Sequence, residues 1–470
     1  MHHNISTHGN HEKFAAQVRS RTTNDGAVIE NPLAHMTDAE LEEDVRQFAE
    51  THLPSVKYET MLRAARVAKD KRIYEEVAGR PRFDVRGRLP VHLTKEEKDA
   101  LCREKNVAFS EKGMRIVIAT VSLAALLQGF VQSSFNGASL YLSQWGSEKT
   151  ITGDTWRLGA ANASPWFFAA LLGCPLALPI NYWFGRRGAI ATAAFLVLAS
   201  SIGAIFATNW VQLFCVRIVN GLGMFPHTRR MGIKAVSTPI LASETAVGYW
   251  RGSAILAWQL WVAFGIMMGF AFNMIFTNAA SSQTTLAMIQ GAPLVPSLAL
   301  VVLALGFCPE SPRYHLMKGP NYSVEKAYRV LLRVRNTELQ ALRDLYLVHK
   351  ALEQERVGIG NWDPQNAALS PGLFWVIHDF CVQFRQLFQQ RRLYNALISA
   401  STVNLAQQLC GGGLISSHDH HGVFRLADLE TRSQCPRVLL WFVAFLGCFV
   451  VSSALTHKQA TSSVPEAKTS

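Results

Sequence analysis

The chain has 470 residues, 49% of them hydrophobic, and its 46 Lys and Arg outnumber its 34 Asp and Glu for a formal net charge of +12. Such an excess could serve a nucleic-acid partner, but the basic clusters stand between long apolar runs, where membrane topology places them, so nucleic acid is excluded. The eight cysteines show neither paired nor metal-ligand spacing, which excludes a disulfide framework and a metal centre and leaves them as small core residues.

Residues 1–113 are polar and charged. The start, MHHNISTHGNHEKF, has no apolar core segment, so no cleaved signal peptide is expected. Thr37-Asp38-Ala39-Glu40 and Thr94-Lys95-Glu96-Glu97 both match the capping box, in which two side chains satisfy free backbone donors at a helix start. Leu41, Val45 and Phe48 follow at helical spacing. Short amphipathic helices are expected here. No phosphate loop or acid/base cluster argues for a catalytic domain, and no cofactor is implied.

A bilayer core about 30 Å thick needs about 20 apolar residues in a helix. Runs of that kind predict spans at 114–133, 162–184, 188–208, 210–225, 252–276 and 285–308. A weaker one lies at 393–416 and a short one at 437–455. Arg186 and Arg187 mark one set of links, and Arg229, Arg230, Lys234 and Arg251 another, whereas Thr208-Asn209 and 277–284 carry no charge. Positive charge stays inside, so the N-terminus and the 311–392 segment both face the cytoplasm, with six spans between them.

The chain therefore reads as an all-α polytopic membrane protein. Its parts are a cytoplasmic extension (1–113), a six-helix bundle (114–308), a helical linker (309–392), a remnant of a second bundle (393–456) and a polar tail (457–470). The stretch 322–356 reads as amphipathic helix packed on the surface beneath the bundle. Inside the fifth span, Gly252 to Phe276, one glutamine, Gln259, sits near the middle of an uncharged run. Its carboxamide is either glue between helices, worth about 0.6–2 kcal/mol, or a contact to a solute; spacing alone favours glue.

Several motifs line up at span edges. They are Asn181-Tyr182-Trp183-Phe184-Gly185-Arg186-Arg187, then Arg217-Ile218-Val219-Asn220-Gly221-Leu222-Gly223, then Pro239 to Glu244 leading to Arg251-Gly252. Pro309-Glu310-Ser311-Pro312-Arg313-Tyr314 and Gln407-Gln408-Leu409-Cys410-Gly411 complete the set. In this order they closely resemble the sugar-porter family of the major facilitator superfamily. The long extension and Gln132 to Ser139 resemble its fungal members.

The resemblance implies two six-helix halves around a central site, working by alternating access. It implies a sugar or polyol as solute and the lipid bilayer as surroundings, with the plasma membrane as the expected location. Gln259, Gln407 and Gln408 would contact the sugar, since carboxamides donate and accept without charge. Gly185, Arg186, Arg187, Glu244, Arg251, Glu310 and Arg313 would form the cytoplasmic gate. Arg217 would be an intramembrane charge, costing about 2.5–3.5 kcal/mol unless it faces a cavity or a partner. The aspartate that partners it in proton-coupled members falls at Val131 here. Facilitated diffusion is thus expected over symport, with protons left open as a second partner.

Three departures break the pattern. Phe225 to Met231 reads as seven inserted residues within a span, consistent with a retained intron or a gene-model error. Pro226 breaks a helix, and two arginines at depth add about 5–7 kcal/mol. Beyond Gly411 an expected asparagine is Gly413 and a tyrosine pair is lost. His418-Asp419-His420-His421 is irregularly spaced on a loop and reads as a solvated or frameshifted stretch, not as a metal site. Finally, seven or eight spans stand where twelve are expected, so little or no transport is expected of this chain. The alternative is a truncated non-transporting paralogue or a membrane sugar sensor.

Overall fold

The computed structural model describes residues 31–33, 36–78, 91–141, 174–207, 231–276, 282–317 and 321–358, with scattered positions at 164, 211–216 and 385–402. Every element among the described residues is helical. Four stretches are long and apolar enough to cross a membrane: Gly113–Ala138, Ile180–Ile205, Gly248–Phe276 and Thr284–Gly306.

The extension folds as α1 (Asp38–His52), α2 (Tyr58–Lys69), α3 (Lys71–Ala78) and α4 (Lys95–Asn106). Both capping boxes form. Thr37 Oγ1 accepts from Glu40 N at 3.3 Å while Glu40 Oε2 accepts from Thr37 N at 2.7 Å; Thr94 and Glu97 repeat the exchange at 3.3 and 2.8 Å. The linker supplies α11 (Pro312–Leu316), α12 (Val324–Val334) and α13 (Glu338–Gly358). Leu41, Phe48, Met61 and Leu101 of the extension share one core with Leu331, Leu342, Leu345 and Tyr346 of the linker. Two segments separated in sequence thus make one cap at the end of the bundle.

The linker departs in part from a surface element. α12 buries Val324, Ala327, Tyr328, Leu331 and Val334 on one face, as expected. In α13, by contrast, Leu339 to Arg343 are buried in succession, followed by Leu345 and Tyr346. The reason is cover on several sides, from α2, α11 and α12.

The bundle holds α5 (Lys112–Tyr141), α6 (Cys174–Ile205), α7 (Met231–Thr245), α8 (Arg251–Phe276), α9 (Ser282–Gly291) and α10 (Leu294–Gly306). α8 matches the expected 252–276. α5 runs past the expected end at 133, because the polar stretch after Val131 stays helical. The expected second and third spans are joined in α6 with a break at one residue, Gly185. Two corrections follow. Met231–Thr245, counted above as part of a cytoplasmic link, is helical and packs on α6 and α5; its buried Ile240, Leu241 and Ala242 take it into the bundle. The sixth span is two helices, because Pro293 has no N–H to continue α9. Residues 162–163, 165–173 and 217–225 of the expected spans, and most of 393–456, lie outside the described residues.

α5 and α8 form the closest pair. A β-carbon on Gly129 would fall 2.0 Å from the Val262 carbonyl oxygen, and one on Gly265 would fall 2.1 Å from that of Leu126. Small residues permit this approach, and dispersion between backbones replaces the hydrophobic drive that lipid cannot supply.

Candidate functional site

The face that α8 buries carries Ala254, Trp258, Gly265, Gly269 and Asn273. Asn273 Nδ2 donates to the Ser133 carbonyl of α5 at 2.9 Å, so the interhelical amide glue of this span is Asn273. Gln259 stands elsewhere. It is exposed, beside exposed Leu256 and Leu260, and two tryptophans, Trp258 and Trp261, bracket it in the sequence.

At the end of the bundle that faces the cap the chain turns at Gly185, with φ 73° and ψ −176°, a conformation that L side chains enter only at a cost. The helix restarts behind it with free N–H groups. Glu310, from the segment after α10, caps them: its Oε1 accepts from Arg186 N at 2.9 Å and Arg187 N at 3.0 Å, and also from its own neighbour Ser311 N at 2.9 Å. A β-carbon at Gly185 would fall 2.4 Å from Glu310 Oε2, so glycine is required there twice over. Burial pushes the Glu310 carboxyl upward, against the pull of the Arg187 and Ser311 donors and the Arg186 charge.

Arg186 turns to α7. Its Nη2 donates to Glu244 Oε1 at 2.9 Å, and Nε lies 2.9 Å from Oε2, an ion-pair contact in which the N–H misses the oxygen. The Ser311 hydroxyl donates to the same Glu244 carboxylate. Tyr314 closes the knot, its hydroxyl 3.0 Å from the Trp183 carbonyl and its ring 5.6 Å from the Arg186 guanidinium. Gly185, Arg186, Glu244 and Glu310 thus converge from three segments. Arg187 also donates to the Leu305 carbonyl, and Arg313 is half-buried on α11. Arg251, at the head of α8, is exposed and makes no salt bridge among the described residues, with Glu244 and Asp344 as the acidic groups in its field.

The model of the sugar (and other) transporter family matches residues 117–417. The chain belongs to that family. It is similar to the arabinose-proton symporter of Escherichia coli K12, 28% identical over 294 residues, covering 60% of this chain and 54% of that one. It is also similar to the myo-inositol transporter FST1 of Gibberella moniliformis, 27% identical over 240 residues, covering 50% of this chain and 38% of that one. Among solved structures, the proton:xylose symporter XylE bound to 6-bromo-6-deoxy-D-glucose aligns with a TM-score of 0.48 at 18% identity, over 74% of this chain and 82% of that one. The chain spans about half the length of the first of these curated relatives. These relatives are transporters, not enzymes, and the family places this chain, whose described elements are all helical, in the membrane.

In this transporter-family chain, three candidate residues lie outside the described residues: Arg217, Gln407 and Gln408. Sequence reasoning assigned no gate role to Ser311 or Tyr314, although both stand inside the quoted Pro309–Tyr314 motif. It also missed a buried polar network in the cap. Arg343, 1% exposed, pairs with Glu104 at 2.7 Å and with Asp344 at 2.8 Å. Arg335 pairs with Asp344 at 2.6 Å. Burial works to raise the Asp344 carboxyl, but the Arg343 and Arg335 guanidiniums outweigh it and hold it below the usual carboxylate range. No local pattern could reveal this, since Glu104 and Arg343 lie in separate segments and each reads as a solvated charge on a helix.

Proposed function

We propose that the chain is a sugar or polyol carrier working by alternating access in the plasma membrane, of the fungal type, with its N-terminus in the cytoplasm. Residues 114–308 form its first six-helix half, 309–392 the linker, and 393–456 a reduced second half. Gln259, Gln407 and Gln408 bind the solute, and Arg217 faces the polar interior. Gly185, Arg186, Arg187, Glu244, Arg251, Glu310 and Arg313 act at the cytoplasmic gate.

One observation carries the reading. α8 meets its need for interhelical glue with Asn273 and leaves Gln259 off the packed face. An amide with no packing role in an apolar helix is what a neutral polyhydroxylated solute needs, because each carboxamide both donates and accepts. The named solutes of the relatives, arabinose and myo-inositol, are of that class. Val131, 1% exposed on α5, puts an aliphatic side chain where the resemblance expects the proton-carrying aspartate, which favours facilitated diffusion.

The departures at Phe225–Met231 and beyond Gly411 favour a second reading, a truncated non-transporting paralogue or membrane sugar sensor. Uptake of labelled hexose and labelled polyol by a transport-deficient cell expressing this chain separates the two. Uptake above the empty cell, lost in Gln259→Ala, supports the carrier. No uptake by chain shown to reside in the membrane rejects it in favour of the second reading.

A further inference from the structure

Glu104, 2% exposed at the end of α4, accepts three hydrogen bonds from two other segments. Its Oε1 accepts from Arg343 Nη2 at 2.7 Å and its Oε2 from Gln340 Nε2 at 2.7 Å, both on α13. Its backbone carbonyl accepts from Trp250 Nε1 at 3.1 Å. Trp250 closes the 3-10 turn Gly248–Trp250 that opens α8. A parallel tie runs from the Tyr249 hydroxyl to Glu75 Oε2 at 2.6 Å on α3. Arg335 completes the ring, its Nη1 donating to the carbonyl of Thr245, the last residue of α7, at 3.1 Å. The turn between α7 and α8 is therefore held from the extension on one side and from the linker on the other.

An ordinary buried ion pair would need only one counter-charge for Arg343, which Asp344 already offers. Here both carboxylate oxygens and the backbone carbonyl of one residue are committed, to two different bodies. The turn they hold lies nine residues before Gln259, about 13 Å along α8, and next to Glu244, which α7 sends into the gate.

We propose that the N-terminal extension is a built-in clamp on the cytoplasmic end of the bundle, with Glu104 as the positioning residue that ties the linker, through Gln340 and Arg343, to the α7–α8 turn, through Trp250. While α4 is seated, the linker and the head of α8 move as one body. Opening the cytoplasmic side requires α4 to release one of them. The mechanical consequence rests on the alternating-access reading; the tie itself does not.

Hydrogen exchange on the full-length chain in lipid nanodiscs, without solute, tests the tie for the wild type, Glu104→Gln and Glu104→Ala. Alanine leaves the backbone carbonyl in place, so protection at Trp250 is lost only if α4 lifts off as a unit. Loss of charge-assisted bonds of about 1.5–3 kcal/mol corresponds to about tenfold or more. Exchange in Glu104→Ala is expected to rise by that factor in 338–345 and in 245–251 together, with 120–131 of α5 unchanged and Glu104→Gln intermediate. A rise confined to α4 and α13, with 245–251 as in the wild type, overturns the proposal. If Glu104→Ala does not accumulate, Trp250→Phe keeps an aromatic ring, removes the indole N–H and breaks the tie from the other end. Raised exchange in 95–106 and 338–345 then supports the clamp, and unchanged exchange there refutes it. Because no transport is measured, failure of the carrier reading and failure of the clamp give different results.

Discussion

The cap and the membrane bundle close by different means. The cap packs large side chains such as Leu41, Phe48, Met61 and Tyr346 and pairs its most deeply buried arginine, Arg343, with Glu104. The bundle sets Ala124, Ala125, Ala191, Ala194, Ala242, Ala254 and Ala304 among larger side chains such as Leu127, Trp258 and Leu300 and brings backbones together at Gly129 and Gly265. Water rewards the first arrangement, at about 25 cal/mol per Å² of apolar area buried. Lipid tails are as apolar as leucine, so in the bundle only close approach and polar bonds are rewarded. The contrast shows how to weigh an odd residue. In the cap an unusual polar side chain is architecture if it is paired; in the bundle an amide off the packed face has no architectural use.

Substitutions can break or sharpen this contrast. The largest effect is expected for Arg343→Ala, which leaves Glu104 buried without its cation and should cost the cap about 3–5 kcal/mol. Thermal unfolding of the full chain, followed by exchange in the α13 segment, would show it. In the bundle, Gly265→Ala drives a methyl against the Leu126 carbonyl, and the overpacking should cost about 1–3 kcal/mol, read as a lower melting temperature in detergent. Asn273→Leu removes a membrane hydrogen bond worth about 0.6–1.7 kcal/mol and should lower the same melting temperature less. Gln259→Leu should leave stability within about 0.5 kcal/mol. If Gln259→Leu destabilised the protein as much as Asn273→Leu, Gln259 would be glue and the contrast between the two amides would fail.

Much of the architecture was legible before the structure. Thr37 and Thr94 announced two helix starts because a capping box is local and its geometry follows from spacing alone. The uncharged run after Arg251 gave α8 nearly to the residue. The gate motifs placed Gly185, Arg186, Glu244 and Glu310 at span edges, and the fold brings those four together. What stayed hidden depends on distant partners. Charges along 338–358 read as solvated until the extension covers them, and the shared core of extension and linker joins segments that no periodicity connects. The break in the sixth span needed more weight on Pro293 than an otherwise apolar run invites.

The account turns on Gln259 being a solute contact held in a lipid-embedded helix. Its tryptophan neighbours in the sequence, Trp258 and Trp261, allow a direct measurement: fluorescence titration of the full chain in nanodiscs with a hexose and with a polyol. A saturable change is expected for the wild type and for Asn273→Leu. In Gln259→Leu the affinity should fall about three- to tenfold, the worth of one neutral hydrogen bond of about 0.5–1.5 kcal/mol. Saturable binding of unchanged affinity in Gln259→Leu, or none in the wild type, would contradict it.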